Sequence, residues 1–298
     1  MRFEASPDRA VDLVVSLSDA LLTFSDRRGP VAPLGACVAV AANTATCGRS
    51  GVNIRVAGSV VGDRIRIDDA LHTRKSPRIL GRAGSDVIEG GPGTQNIFGG
   101  FGSDDLRGGS GVDLMYGGNG ADTLHGDGGG DLLVGGCLGG VCHQGGDTYF
   151  GGSGPDTLAQ PPDMGQPPGP DILWGGGGED QAWYSLRTAD LSLTLDDVAN
   201  DGEAGEGDDV RFDVERMVAG EGDDVLVGND RANRLEGGAG DDSISGLGGT
   251  DHLYGRGGDD EIQAQDGSLD VVNCGPGGGD HAIVDVQDSV TGCESVET

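Results

Sequence analysis

Residues 99–125 read GGFGSDDLR, GGSGVDLMY and GGNGADTLH, which are three successive copies of one nonapeptide. Each copy fits G-G-x-G-x-D-x-U-x, where U is a bulky apolar residue. The same phase extends outward from Gly81 to Trp183, and it returns from Ala219 to Gln263. A short fixed period of this kind indicates structural units that stack on their neighbours, because no single unit can bury its apolar residue alone.

Two positions of the nonapeptide hold the same type of residue in nearly every unit. The eighth position is apolar in every unit, which a glycine-rich linker would not show. The sixth position is Asp except at Gln95 and Asn233. These aspartates are the candidate metal ligands: Asp86, Asp104, Asp113, Asp122, Asp131, Asp147, Asp156, Asp171, Asp180, Asp224, Asp242, Asp251 and Asp260. Because Gln95 and Asn233 are neutral, we expect metal sites that involve them to be weaker or empty.

The two halves of the nonapeptide predict different local structures. The glycine half predicts a turn, since glycine tolerates positive φ and close backbone approach. The D-x-U-x half predicts one short strand with U facing inward. Two units, eighteen residues, then complete one coil with a strand on each of two faces. We therefore predict an all-β parallel β-roll solenoid, with loops extruded at Cys137–Gln144 and Gln160–Gly169.

The periodicity divides the chain into five segments. They are a β-rich N-terminal cap (1–80), a first roll block (81–183), a β insert (184–218), a second roll block (219–263), and degenerate repeats with a C-terminal cap (264–298). We expect the C-terminal cap to be closed by a disulfide, since terminal units of a stacked array are usually atypical.

Apolar alternation predicts strands outside the repeats. Val11–Leu17 and Val52–Ile67 predict strands in the N-terminal cap, with a turn at Gly62–Asp63. In the insert, alternating leucines over Leu191–Leu195 predict one longer strand. We interpret the acidic loop Asp196–Asp209 that follows as solvated, with one extra calcium site as the alternative.

Composition excludes several classes of partner. The chain has 60 glycines, 35% hydrophobic residues and a formal net charge of −31. Low hydrophobicity with high net charge is typical of disorder unless the charge is neutralised. An acidic surface does not suit nucleic acid or an anionic membrane, and no apolar run is long enough for a membrane span. The excess of acidic residues therefore indicates that the partners of the chain are cations.

Spacing explains why the cation should be calcium. Neighbouring strands lie about 4.7–4.9 Å apart, and two carboxylates at that distance repel by about 1 kcal/mol in water. Calcium takes six to eight oxygen ligands at about 2.3–2.6 Å, so one ion can contact two rungs and turn carbonyls together. We predict multiple Ca²⁺ ions between stacked turns, and folding that depends on them. A metal-free solenoid would leave the repeated Asp unexplained.

The cysteines fall into three local pairs: Cys37 with Cys47, Cys137 with Cys142, and Cys274 with Cys293. Their even number and short separations favour disulfides, although six cysteines allow about 15 connectivities. The spacing does not fit a zinc site. Disulfides indicate an oxidising, extracellular setting.

The phased units resemble RTX (haemolysin-type) calcium-binding repeats. The flanking stretches DDVRFDVERMVAGEGDDVLVG (208–228), NCGPGGGD (273–280) and VQDSVTGCE (286–294) resemble stand-alone secreted calcium-binding proteins of high-GC bacteria. The resemblance implies a parallel β-roll, secretion and calcium-triggered folding, with the sixth-position Asp residues as ligands. Residues 1–20 lack a basic segment followed by an apolar stretch. We therefore expect a leader removed from the chain, or another export route.

No catalytic motif stands out, so we predict a non-enzymatic scaffold or surface component. HExxH, Walker and nucleophile-elbow patterns are absent from the sequence. One alternative is an accessory region of a larger secreted enzyme or adhesin; another is a polysaccharide-acting hydrolase. Trp174 and Trp183 either cover an edge of the roll or form a platform for sugar. Contact with a cell surface or polysaccharide and the oligomeric state stay open.

Overall fold

Short strands separated by glycine-rich turns make up the regular structure of the chain. The computed structural model describes residues 2–4, 10–18, 21–26, 28, 37–41, 44–48, 55–57, 59–67, 76–136, 145–160 and 169–298. The regular elements in these ranges are all strands, which confirms the all-β prediction. Over the same ranges, no helix is long and apolar enough to cross a membrane. The described residues form two compact units, Met1–Asp156 and Thr157–Thr298.

The first unit contains strands β1 to β15. They are β1 (Arg2–Glu4), β2 (Asp12–Ser18), β3 (Leu21–Asp26), β4 (Cys37–Ala41), β5 (Thr44–Gly48), β6 (Arg55–Ala57), β7 (Arg64–Ile67), β8 (Arg78–Ala83), β9 (Val87–Glu89), β10 (Asn96–Phe101), β11 (Asp105–Ser110), β12 (Leu114–Asn119), β13 (Thr123–Gly128), β14 (Leu132–Val134) and β15 (Thr148–Ser153).

The second unit contains strands β16 to β31. They are β16 (Thr157–Ala159), β17 (Ile172–Gly177), β18 (Gln181–Trp183), β19 (Leu191–Thr194), β20 (Gly202–Glu203), β21 (Asp209–Val210), β22 (Arg216–Val218), β23 (Val225–Val227), β24 (Arg234–Ala239), β25 (Ser243–Ser245), β26 (His252–Gly257), β27 (Glu261–Ala264), β28 (Val271–Asn273), β29 (His281–Val284), β30 (Ser289–Thr291) and β31 (Ser295–Glu297).

Alternate strands of the first unit belong to two sheets. One sheet has the parallel order β1-β6-β8-β10-β12-β14. The other has the order β4-β5-β3-β2-β7-β9-β11-β13-β15, in which the pairs from β7 onward are parallel. The meander β2-β3-β5-β4 at its edge is antiparallel. The strands predicted in the N-terminal cap are therefore present and continue the roll.

The second unit repeats this alternation. One sheet has the parallel order β16-β18-β22-β24-β26-β28-β30. The other has the order β20-β19-β23-β25-β27-β29-β31, and only its edge pair β19–β20 is antiparallel. A parallel pair of β17 with β21 completes the unit. In the insert, β19 ends at Thr194, one residue short of the predicted strand, although Leu195 is buried.

The core is a single column of eighth-position side chains on each sheet. Leu106 pairs with Ile88 on one side and Leu124 on the other, each eighteen residues away in the sequence. These three side chains are 0% exposed, as are Ile97 and Met115 on the other sheet. Burying one such side chain contributes about 1.5–3 kcal/mol. The predicted eighteen-residue coil and its thin apolar core are confirmed.

Candidate metal centre

A glycine at the first position of a nonapeptide leaves room for the aspartate of the same turn. A Cβ atom on Gly99 would overlap Oδ2 of Asp104, and it would lie 2.6 Å from the carbonyl oxygen of Gly117 in the next coil. The second glycine, Gly100, has a φ of 125°, which residues with a Cβ rarely adopt. Glycine therefore stands where the turn brings a carboxylate and a carbonyl of successive coils against the backbone.

The sixth-position carboxylates form a ladder that joins successive coils. Asp104 Oδ1 accepts a hydrogen bond from the backbone amide of Asp86 at 2.8 Å, and Asp122 Oδ1 accepts one from the amide of Asp104 at 2.8 Å. On the other edge, Asp131 Oδ1 accepts from the amide of Asp113 at 2.7 Å. Each carboxylate thus holds the coil that precedes it in the sequence.

All of the predicted ligand aspartates are buried, with at most 3% of each residue exposed. In many rungs of the ladder the second oxygen, Oδ2, is also buried and makes no hydrogen bond. These rungs are Asp86, Asp104, Asp113, Asp131, Asp242, Asp251, Asp260, Asp270 and Asp280. Leaving a charged acceptor buried and unsatisfied is costly. Asp224 differs, because its Oδ2 accepts from the amide of Gly220 at 3.0 Å.

Burial raises the pKa of the ladder carboxylates. The pKa rises from 3.8 to about 8 at Asp86, to about 6 at Asp104 and to about 7 at Asp242. Desolvation is the largest cause in each case, and the hydrogen bond from a backbone amide opposes it. Repulsion from neighbouring carboxylates also raises the pKa of Asp86 and Asp242. We expected repulsion to be the main cost of the ladder, but burial outweighs it.

The residues present fit calcium. A hard cation with oxygen ligands suits the buried Oδ2 atoms. Several of them also lie beside a glycine where a carbonyl of the next coil approaches, as at Gly99 and Gly117; these are the Oδ2 atoms of Asp86, Asp104, Asp113, Asp131 and Asp260. Among the described residues, no three His, Cys, Asp or Glu side chains converge on one point. Each ion would therefore take one or two carboxylates from the ladder and its remaining ligands from turn carbonyls.

The two neutral rungs are arranged differently. At Gln95, the side-chain amide Nε2 donates to the carbonyl oxygens of Gly91 and Gly93, so a fixed donor faces the turn carbonyls. At Asn233, Oδ1 accepts from the amide of Asn229 at 2.8 Å, and Nδ2 is buried without a hydrogen-bond partner. At both rungs the side-chain oxygen lies beside the first glycine, as Oδ2 does in the aspartate rungs, but it belongs to a neutral amide. The weaker or empty metal sites there stay a prediction.

The ladder extends beyond the predicted residues. The amide of Asp171 donates to Asp208 Oδ1 at 2.8 Å, and the amide of Asp180 donates to Glu215 Oε2 at 2.9 Å. The amide of Asp63, in the N-terminal cap, donates to Asp86 Oδ1 at 2.6 Å. The last acceptors in the chain are Asp270, Asp280, Asp288 and Glu294.

One sequence signal would have found these missed rungs. Each is an acidic residue followed two positions later by an apolar one, as in the repeats. The pairs are Asp63–Ile65, Asp208–Val210, Glu215–Met217, Asp270–Val272, Asp280–Ala282, Asp288–Val290 and Glu294–Val296. The acid-x-apolar half of the nonapeptide therefore persists outside the regular repeats.

In the insert, protein groups provide the neutralising partners of the carboxylates. The guanidinium of Arg187, a residue that is 0% exposed, donates to Glu203 Oε1 at 3.1 Å and to Glu206 Oε1 at 2.8 Å. The buried hydroxyl of Tyr184 donates to Asp208 Oδ2 at 2.8 Å, the oxygen that regular rungs leave unsatisfied. A fixed cation and a hydroxyl thus lie inside the segment that interrupts the repeats.

The acidic loop Asp196–Asp209 is only partly solvated. Residues 196–200 are exposed, as expected. The expectation is wrong for four acids of the second half, which are buried: Asp201, Glu206, Asp208 and Asp209. They turn inward because Arg187, Tyr184 and backbone amides such as that of Val210 satisfy them. The extra calcium site stays a prediction.

The structure bears on two cysteine pairs and one tryptophan. Cys274 and Cys293 form a disulfide that closes the C-terminal segment, as predicted. Cys37 and Cys47 are cross-strand partners of β4 and β5, and Cys137 and Cys142 lie outside the described residues. The guanidinium of Arg211 lies 4.4 Å from the centre of the Trp174 ring, which favours the covering role over a sugar platform.

The comparisons with known proteins agree with this geometry. The family model of the RTX calcium-binding nonapeptide repeat (four copies) matches residues 78–106, 98–133, 143–159, 168–184, 213–230 and 227–262. No curated protein matches the chain significantly. The matched segments contain the predicted aspartate rungs, and the parallel coils that they form are those expected of such repeats. The matched segments of the chain are therefore RTX calcium-binding repeats.

Proposed function

We propose that this protein is an extracellular, non-enzymatic scaffold or surface component whose β-roll folds when calcium binds between its coils. The observation that carries the proposal is the ladder of buried Oδ2 atoms without hydrogen-bond partners. Without a cation, these carboxylates are desolvated and charged at neutral pH or must take up protons. Calcium supplies the missing positive charge, while the aspartates and turn carbonyls orient it.

One feature of the chain, together with the usual affinity of extracellular calcium modules, supports the extracellular part of the proposal. The Cys274–Cys293 disulfide suits an oxidising compartment. Extracellular calcium modules bind with dissociation constants of about 10⁻⁴–10⁻³ M, so the chain would stay unfolded at cytosolic calcium and fold after export. Because the aspartates of the ladder join successive coils, their role is to hold the roll together, which supports a scaffold.

A calcium titration of the full chain tests the proposal. Circular dichroism should change from a disordered to a β spectrum as calcium rises through the millimolar range, and equilibrium dialysis should count several bound ions. Magnesium at equal concentration is the control, because it demands near-ideal octahedral geometry and dehydrates reluctantly. A β spectrum that is unchanged by removal of calcium would refute calcium-driven folding.

A further inference from the structure

The rungs of residues 184–233, a segment that we call the joint, differ from the rungs on either side. The structure describes residues 169–298 without a gap, and the ladder within the joint consists of Asp208, Glu215, Asp224 and Asn233. None of these four leaves a buried carboxylate oxygen without a hydrogen-bond partner. Rungs on either side do, such as Asp131 before the joint and Asp242 after it. The joint therefore interrupts the row of unsatisfied carboxylate oxygens.

Two aspartates of the joint have protein donors on both carboxylate oxygens. Asp208 accepts from an amide of the preceding coil through Oδ1 and from the hydroxyl of Tyr184 through Oδ2, at 2.8 Å each. Asp224 accepts from the amide of Leu191 through Oδ1 at 2.7 Å and from the amide of Gly220 through Oδ2 at 3.0 Å. In both rungs, a donor of the protein satisfies the oxygen that regular rungs leave for a cation.

The other two rungs of the joint also lack a buried charge that needs a cation. Glu215 is half-buried, and its Oε2 accepts from the amide of Asp180 at 2.9 Å. Asn233 has a neutral amide. Leu191 also stands at a rung position, since its amide donates to Asp224 as a rung amide does, but its side chain is apolar and buried. The joint thus has no rung of the regular kind.

Other acids of the joint are paired with arginine. The buried guanidinium of Arg187 binds Glu203 at 3.1 Å and Glu206 at 2.8 Å. Arg211 binds Oδ2 of Asp209 at 2.8 Å, although Oδ1 of Asp209 is buried without a hydrogen-bond partner. The joint therefore contains its own positive charge, and its fold does not depend on calcium as that of the repeats does.

Neighbouring coils are the only route by which one calcium site can influence another along the roll. In a stacked array, stability is a sum of repeat terms and of interfaces between adjacent repeats. Calcium in one coil therefore affects a distant coil only if it changes the folded fraction of the coils between them. A joint that is folded with and without calcium does not change, so it transmits no effect.

We propose that the joint divides the calcium-binding rungs into two groups that fold independently. The rungs up to Asp180 form one group, and the rungs from Asp242 onward form the other. This inference rests on the proposed calcium-driven folding and adds that the chain responds to calcium in two separate transitions. When one group loses its calcium and unfolds, the other stays folded on the joint.

Hydrogen exchange of the full chain during a calcium titration tests this independence. The readouts are peptides from residues 171–183 and 242–263, which both belong to the second unit. Asp180→Asn perturbs the first group, and Asp242→Asn perturbs the second. Each should raise the calcium concentration at half-protection in its own group, because ligand charge sets calcium affinity. The midpoint of the other group should change by less than about twofold, as for sites that share no partners.

A double variant of the joint should couple the two groups. Tyr184→Phe removes the donor to Asp208 Oδ2, and Asn233→Asp restores a rung carboxylate, so the joint itself would need calcium. In this background, Asp180→Asn should move the midpoint of residues 242–263 by about fivefold or more, which is an ordinary coupling between two sites.

The matched control is Tyr116→Phe with Asn229→Asp, which should leave the groups independent. The Tyr116 ring stacks on Phe98, and Asn229 Nδ2 donates to the carbonyl oxygen of Phe212, so neither residue is a rung. The proposal is overturned if Asp180→Asn moves both midpoints together in the otherwise unchanged chain, or if the double variant of the joint leaves the groups independent. Exchange that responds to calcium in neither group would refute calcium-driven folding itself, and the division with it.

Discussion

At the scale of the residue, the two oxygens of one aspartate have different roles. Oδ1 of Asp104 accepts the amide of the preceding coil, and Oδ2 lies against Gly99 without a hydrogen-bond partner. The first interaction joins successive coils and fixes their register. The second oxygen is buried without a partner, so a bound cation would stabilise it. Glycine at the first position is what allows both in one turn.

Gly99→Ala should therefore weaken calcium binding and folding together. The new Cβ would overlap Asp104 Oδ2 and crowd the carbonyl oxygen of Gly117. We expect the free energy of unfolding in calcium to fall by about 1–3 kcal/mol, as for other overpacked sites. The matched control is Gly93→Ala, whose Cβ would meet only Gln95 Nε2, at 3.8 Å. Equal losses in the two variants, measured by denaturant titration, would contradict the role given to the first glycine.

The raised pKa values predict opposite pH dependences with and without calcium. The pKa of Asp86 rises to about 8, and that of Asp251 to about 7, from 3.8. A folded-state pKa above the unfolded value means stability that is present at low pH and lost as pH rises through the folded pKa. In calcium-free buffer, lowering the pH from 8 to 5 should therefore increase β structure.

Calcium reverses this trend because it binds the ionised carboxylates. The apparent calcium affinity should fall as pH decreases from 8 to 5, and calcium binding should release protons at the acid end of this range, where the calcium-free chain is folded and protonated. Calorimetry in buffers of different ionisation enthalpy measures that release. Affinity that is independent of pH over this range would show that the ladder carboxylates are already ionised before calcium binds.

At the scale of the element, the insert is distinguished from the repeats by its own internal cation. Arg187 neutralises Glu203 and Glu206, and Tyr184 satisfies Asp208. We predict that hydrogen exchange of the segment 184–218 is the last to accelerate as calcium is withdrawn. Repeat segments such as 99–125 should lose protection first.

Arg187→Met should remove the extra protection of the insert against hydrogen exchange. It leaves Glu206 buried without its cation, and breaking a buried pair costs about 3–5 kcal/mol. Exchange in peptides from 184–218 should then accelerate at the same calcium concentration as in the repeats. Arg107→Met is the control, since the side chain of Arg107 is 45% exposed and its ion pairs are long. Unchanged protection in Arg187→Met would show that the insert does not depend on the guanidinium.

These elements also show how far the sequence predicts the structure. The nine-residue period predicted the coil, the core column and the buried aspartates, because each depends on neighbours at a fixed separation. Period alone could not predict the pairing of Asp171 with Asp208, 37 residues apart. The local pattern does not say which of several acids in the insert faces inward. That choice depends on Arg187 and Tyr184, whose partners are distant in the sequence.

At the scale of the whole molecule, net charge decides whether the chain is compact. With a charge of −31 and few apolar residues, it resembles a disordered chain until cations bind. An unfolded chain of this length has a radius of gyration of about 60 Å. Small-angle scattering should show this value in calcium-free buffer at pH 8 and a much smaller one in millimolar calcium.

Sodium chloride at the same ionic strength is the control for this measurement. Monovalent salt screens the repulsion between exposed charges, but it does not supply a ligand shell for the buried Oδ2 atoms. The radius should therefore fall little in sodium chloride alone. Compaction by sodium chloride equal to that by calcium would mean that general screening, and not bridging between coils, controls folding.

The hydrogen bonds of the ladder all have one direction. In the regular rungs, the backbone amide donates to the carboxylate of the coil that follows, as from Asp86 to Asp104 and, at the end of the chain, from Asp280 to Glu294, which neighbours Cys293 of the Cys274–Cys293 disulfide. If the chain is exported with its N-terminus first, the last coil outside the cell still lacks the carboxylate that the next coil will provide. The coils would therefore fold in sequence order, because each new turn supplies the carboxylate that stabilises the turn before it. The segment closed by the disulfide would fold last.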